Sequence, residues 1–208
     1  MEFRGPSPGD FANITALNGL FLATLSASPV DAAPQLSLQA AGRLAEAPFL
    51  LFSLREHDAM LWERLLGSGG QLPLRDVAAA DDSRLVELRI AAIGFLWQIA
   101  RRNPFAARLV SAAPHAWCQD IGTRTLVHLV RAVSVADDVV TPRFAVPSPT
   151  WQRLLTEGTS SNPVMRRSAH LAALQQMLTR CDPARDGRLA AAACGMRDPA
   201  ILRRGRKV

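Results

Sequence analysis

The chain has no tyrosine, a single lysine (Lys207) and three cysteines in 208 residues. Cys118, Cys181 and Cys194 are odd in number and far apart, which argues against a disulfide framework and fits a reducing compartment. No apolar run reaches the roughly 18 residues that a membrane span needs. The longest, Ile90 to Ala100, is interrupted by Gln98. Leu20 to Ala27 is mildly apolar but has no positively charged flank, and Thr24 and Ser26 break it, so it is not read as a secretion signal.

Catalytic and ligand motifs are equally sparse. Gly67-Ser68-Gly69-Gly70 has the glycines of a phosphate-binding loop but no lysine, and Gln71, Leu72 and Pro73 follow it. It reads as a linker. His115 and Cys118 have the spacing of two zinc ligands, yet no second paired set accompanies them. Cys118, next to Trp117, reads as a small core residue. No strand, elbow and helix surround any serine or cysteine as a nucleophile would require. His57 and His170 read as structural histidines. The expectation is a protein that is not an enzyme and holds no cofactor or metal.

What is present is arginine, and it is unevenly placed. Residues 1–83 carry a formal charge of −5 and residues 84–208 carry +11. Of 24 basic residues, all but Lys207 are arginine, a bias that a GC-rich genome also produces. Composition drift explains the residue type better than it explains the placement. A basic half suggests an anionic partner, with nucleic acid the commonest.

Apolar periodicity predicts helices almost throughout. The first covers about Asn13 to Leu25, with Ile14, Leu17, Phe21 and Leu25 one turn apart and Asp10 or Asn13 as its cap. Ser37 caps a second over Leu38 to Ala47. Phe49 to Leu54 is an apolar run that fits either a helical turn or a short extended piece, and Glu56 to Leu66 is helical. Ser83 caps the strongest helix, Arg84 to Arg102. Its polar stripe is Glu87, Ala91, Gly94, Gln98, Arg101 and Arg102. Arg89 falls on its apolar side, either snorkelling to a local partner or held for an interface. Shorter helices follow at Phe105 to Ser111, around Trp117, and after Thr123 or Thr125 with Leu126, Val127, Leu129, Val130 and Val133 inward. A loop with three prolines spans Asp137 to Pro149, and Thr150 caps Trp151 to Thr156. Asn162-Pro163 opens Val164 to Arg180, where Met165, Ala169, Ala172, Ala173, Gln176 and Met177 share a face.

The fold class is therefore all-α, a multi-helix bundle in two helical subdomains joined by a Gly-rich hinge. Residues 1–12 form a loose leader, 13–66 an N-terminal subdomain, 67–83 a linker, 84–180 a C-terminal bundle and 181–208 a flexible basic tail. Candidate contacts to nucleic acid or an acidic partner are Arg101, Arg102, Arg166, Arg167, Arg203, Arg204, Arg206 and Lys207. Arg101 and Arg102 also complement a helix C-terminus. Arg166 and Arg167 sit in a first helical turn, where positive charge is unfavourable, a placement that favours a functional reason over a structural one. A phosphate docking there would meet free backbone N–H groups and two guanidinium groups.

The run from Leu36 to His57, with its L-S-L start, Arg43 before Leu44-Ala45-Glu46, apolar Phe49 to Leu54 and a histidine, resembles the FlhD family of flagellar transcriptional regulators. Ile14 to Leu25 is similar to that family's first helix. The resemblance covers residues 13–66. It implies an all-α fold, homodimerisation through this half and action in transcription with a second regulatory protein. Leu17, Phe21, Phe49, Leu50 and Phe52 are the interface residues expected on that basis. The resulting expectation is a cytoplasmic, non-membrane bacterial regulator that dimerises and binds DNA or a partner. The alternative is a helical adaptor of a secretion or motility system without nucleic acid.

Overall fold

A computed structural model of the chain describes residues 5–27, 36–67, 83–136 and 138–180. The linker between Gly67 and Ser83 lies outside the described residues. So does the basic tail with Arg203, Arg204, Arg206 and Lys207. Among the described residues the molecule is nine helices and one two-stranded ribbon. None of these helices is long and apolar enough to cross a membrane.

The first helix, α1 (Pro8–Ala27), starts earlier than the apolar pattern predicts. Ser7 is its cap, not Asp10 or Asn13. The Ser7 hydroxyl accepts from the Asp10 N–H at 3.2 Å, and the Asp10 carboxylate accepts the Ser7 N–H at 2.7 Å. This reciprocal capping box begins the helix inside the expected leader, so residues 8–12 form its opening turn. Ile14, Leu17 and Phe21 are buried, as their spacing requires. Ser37 caps α2 (Leu38–Ala45) by accepting from the Ala40 N–H at 3.2 Å.

After α2 the chain is extended, which resolves the ambiguous run Phe49 to Leu54. Its strand β1 (Phe52–Ser53) pairs antiparallel with β2 (Thr141–Pro142). Phe49, Leu50, Leu51, Phe52 and Leu54 are all wholly buried. A buried extended segment must have its backbone hydrogen bonds met from elsewhere. Buried Asn18 of α1 donates to the carbonyls of Ala45 at 3.2 Å and Phe49 at 2.9 Å, and accepts the Leu51 N–H at 2.9 Å. Leu50 donates to the Val110 carbonyl at 2.9 Å. Arg143 donates to the carbonyls of Leu50 and Phe52, and to Glu56 at 3.0 Å in a buried ion pair. Glu56 therefore belongs to the turn before α3 (Ala59–Gly67) and not to the helix itself. Asp58 caps α3 through the Leu61 N–H at 3.0 Å.

Helix α4 (Ser83–Arg102) packs against α1, α5 (Pro104–Ser111), α6 (His115–Thr123) and α7 (Leu126–Ser134). Leu88, Ile93 and Leu96 are wholly buried, while Glu87, Ala91, Gln98, Arg101 and Arg102 face outward as the periodicity requires. A Cβ at Gly122 would lie 3.3 Å from the Ala100 carbonyl, so this glycine lets α6 lie close on α4. Arg89 is buried and donates to the Ala136 and Leu85 carbonyls, a structural placement within the chain. Asn103 caps α5, and Thr125, not Thr123, caps α7. On α7, Leu129 and Val133 are buried, but Val127 is exposed, against expectation. A stripe of 100° steps centred on Leu129 passes Val127 by.

Ser148, not Thr150, caps α8 (Pro149–Thr156), because Pro149 occupies the first helical position. Helix α9 (Pro163–Arg180) packs on α8. Its Ala169, Ala173 and Met177 are buried, while Met165 at the open end is exposed. The core is one continuous cluster that takes Phe21 and Phe52 from before the glycine-rich segment and Leu96 and Trp151 from after it. Each such side chain stabilises the fold by about 1.5–3 kcal/mol through removal from water.

Candidate functional site

The basic pairs singled out by sequence are handled in different ways. Arg102 reaches the start of α1, where its guanidinium meets Asp10 at 2.5 Å. Burial alone would raise the Asp10 carboxyl, yet hydrogen bonds from Ser7 and Arg102 together hold it below the usual carboxylate value. Arg102 thus has a structural task. Arg101 lies 4.9 Å from the ring centre of Trp97, a cation–π contact on an exposed surface.

Arg166 and Arg167 open α9 beside the turn that follows α2. Arg166 meets Glu46 at 3.2 Å and donates to the Ser160 carbonyl at 2.9 Å. Arg167 is exposed and makes no ion pair or hydrogen bond among the described residues. Between the two elements lies a cavity of about 340 Å³. Its wall is Pro163, Arg166, Arg167, His170 and Leu171 from α9, with Glu46 and Pro48 opposite. The α9 residues recur every three and four positions, so one helical stripe faces the opening. The helix end is not a bare set of N–H groups, as the phosphate reading assumed. Asn162 Oδ1 accepts the Val164 N–H at 2.9 Å, and the Asn162 carbonyl accepts the Arg166 N–H at 3.1 Å. Any anion there must be held chiefly by side chains.

His170 is the residue that sequence reasoning undervalued. It is 5% exposed and lines the cavity, and its Nε2 has no hydrogen-bond partner among the described residues. Burial lowers its pKa below the ordinary histidine value, and Arg166 acts in the same direction; the Gly158 backbone and Glu46 oppose them. The signal was available in the spacing, since His170 follows Arg166 by four positions and Pro163 by seven.

The other predicted residues do not gather here. Leu17, Phe21, Phe49, Leu50 and Phe52 are buried in the chain's own core, so they present no face to a dimer partner. Cys118 is likewise buried, and burial pushes its thiol up to about 12, with Glu56 adding to the shift. Among the described residues, no three His, Cys, Asp or Glu side chains come together as metal ligands. A second cavity, about 550 Å³, is floored by Trp62 and Trp117, whose rings meet edge-on at 5.1 Å. Compared with protein-family models, curated proteins and solved structures, the chain finds no match.

Proposed function

We propose that this chain is a non-catalytic helical binding protein that docks an acidic partner protein on the exposed face of α9. The observation that carries this reading is the composition of that face. Val164 and Leu171 are exposed large apolar side chains seven positions apart on one helical stripe, and Arg167 lies beside them on it. Exposed apolar residues rimmed by one sign of charge are the usual composition of a protein-binding surface. An acidic amphipathic helix is the complementary occupant.

This is the adaptor reading. Transcription regulation through DNA is the second reading, favoured by the outward arginines Arg101 and Arg167. It is weaker because Arg102 and Arg166 are already matched with Asp10 and Glu46. A dimer of the FlhD-like kind would have to form through a surface other than Leu17, Phe21, Phe49, Leu50 and Phe52. Exposed Phe11 on α1 is the nearest candidate.

The test is purification from the native host with a photo-crosslinking residue at Leu171, with and without nuclease. The docking reading expects one discrete crosslinked protein of acidic composition, insensitive to nuclease and lost in the Arg166→Glu/Arg167→Glu double variant. Crosslinks to nucleic acid, or a partner released by nuclease, would replace it with the DNA reading. The latter also expects retention of duplex DNA that falls steeply with salt.

A further inference from the structure

We propose that the cavity between the start of α9 and the turn after α2 binds an oxyanion of the phosphate or sulfate type borne on a small organic body, held by Arg166, Arg167 and His170. The site shares Arg167 and Leu171 with the docking face but does not depend on it. Its ligand is a small molecule, and its test uses the purified chain alone.

Three observations converge. Charge is the first. Two guanidinium groups against the one Glu46 carboxylate leave the cavity wall with a net positive charge, which rises when His170 is protonated. Helix-end electrostatics oppose Arg166, the fourth residue of α9, and to a lesser degree Arg167 just beyond the first turn, since that end already carries a partial positive charge. A bound anion removes the conflict, because it is attracted by the helix end and by both side chains.

The second observation is the unmatched imidazole. A buried polar group without a partner destabilises a fold; among the described residues such atoms occur at His115, Trp117, Arg131, Trp151 and His170. Asn18, also buried, has its amide engaged by four backbone groups. Nε2 of His170, in contrast, has none. Its ring is in the wall of the same cavity that the arginines line. Once protonated, Nε2 can donate to a ligand oxygen.

The third is shape. An oxyanion alone occupies a fraction of about 340 Å³. Pro48, Pro163 and Leu171 supply apolar wall for the remainder, which suits the organic body of a monoester. Arg166 is held in place by Glu46 and the Ser160 carbonyl, so its fork is positioned before any ligand arrives.

The arrangement sets the sign of the pH dependence. The groups that face His170 are Arg166 and Arg167 on its own helix, Glu46 beyond α2, and the Gly158 backbone beyond α8. An anion placed on the ring favours the imidazolium, so binding takes up a proton. Affinity rises as pH falls.

The experiment is a sulfate titration of the full chain with ¹⁵N-labelled histidine, at constant ionic strength balanced with chloride. Sulfate remains a dianion across the range, so it adds no titration of its own. The four histidines, His57, His115, His128 and His170, are assigned by single substitution. The expected result is a saturable shift confined to His170 Nε2, with affinity about tenfold tighter at pH 5.5 than at pH 7.5, as one linked proton allows. Arg167→Gln weakens binding about tenfold while the amide spectrum stays folded, in keeping with loss of one charge-assisted bond. O-phosphoserine binds more tightly than inorganic phosphate. A linear response, equal shifts at all four histidines, or an affinity indifferent to Arg167→Gln overturns the site. O-phosphoserine no tighter than phosphate overturns the organic body. A partner captured in cells without any sulfate response would uphold the docking reading and reject this one.

Discussion

The extended segment around Phe52 and the cavity at the start of α9 treat buried polar groups in opposite ways. In the first, Asn18, Arg143 and Glu56 are buried and every one is engaged, closing the backbone of residues 49–54. In the second, His170 is as deeply placed, but among the described residues Nε2 has no partner and Arg167 makes no ion pair or hydrogen bond. The contrast separates polar residues that hold the fold from polar residues that the fold holds. Trp151 Nε1, deep in the core, also lacks a partner among the described residues, so an incomplete group points outward only where it lines a cavity, as His170 does.

The comparison is open to direct attack, beginning where the effect is largest. Glu56→Ala leaves Arg143 charged and buried without its carboxylate, and stability falls by about 3–5 kcal/mol in denaturant titration. A loss under about 1 kcal/mol would mean that the clamp is not structural. Asn18→Ala strands the Leu51 N–H and the carbonyls of Ala45 and Phe49, and costs about 2–3 kcal/mol by the same measurement.

Acid should act next. His170 titrates lower in the folded chain than its ordinary 6.5, so the unfolded chain takes up the proton first. Its contribution to stability is complete above about pH 6.5 and is lost as pH falls through the lowered folded value. The dependence on pH in this window is absent from His170→Leu; a slope that survives the substitution assigns it to another group. Asp10, also lowered, contributes above the ordinary 3.8 and loses that contribution further into acid. The smallest effect is that of Arg167→Gln, which changes unfolding free energy by no more than about 0.5 kcal/mol, as expected of an exposed side chain with nothing attached.

Much of this architecture is legible in the order of residues. The apolar stripe of α4, the Ser37 cap, and the Asn103-Pro104 and Asn162-Pro163 starts all follow local rules, because a helix's hydrogen bonds and caps lie within a few positions. Phe49 to Leu54 was not decidable in that way. Its extended form depends on Asn18, Val110 and Arg143, and Arg143 is more than eighty positions away. The expected interface residues Leu17, Phe21, Phe49, Leu50 and Phe52 are buried in the chain's own core for a related reason. Apolar character marks burial, and only the fold says whether the burying surface is the same chain. Of the α9 site, Arg166 and Arg167 were visible through their unfavourable helix position. Glu46 and the unmatched Nε2 were not, since both depend on how α9 meets the turn after α2.

Whether the His170 imidazole awaits a ligand is read from the unfolding free energy of His170→Leu at pH 7. Nε2, kept unpaired for a ligand, stabilises nothing by its polarity, and an apolar side chain of similar size relieves the ring's desolvation while giving up only its hydrogen bond to the Gly158 backbone. The account predicts stability equal to or above that of the parent chain. A loss as large as that of Asn18→Ala would show that the imidazole is part of the scaffold, and would contradict it.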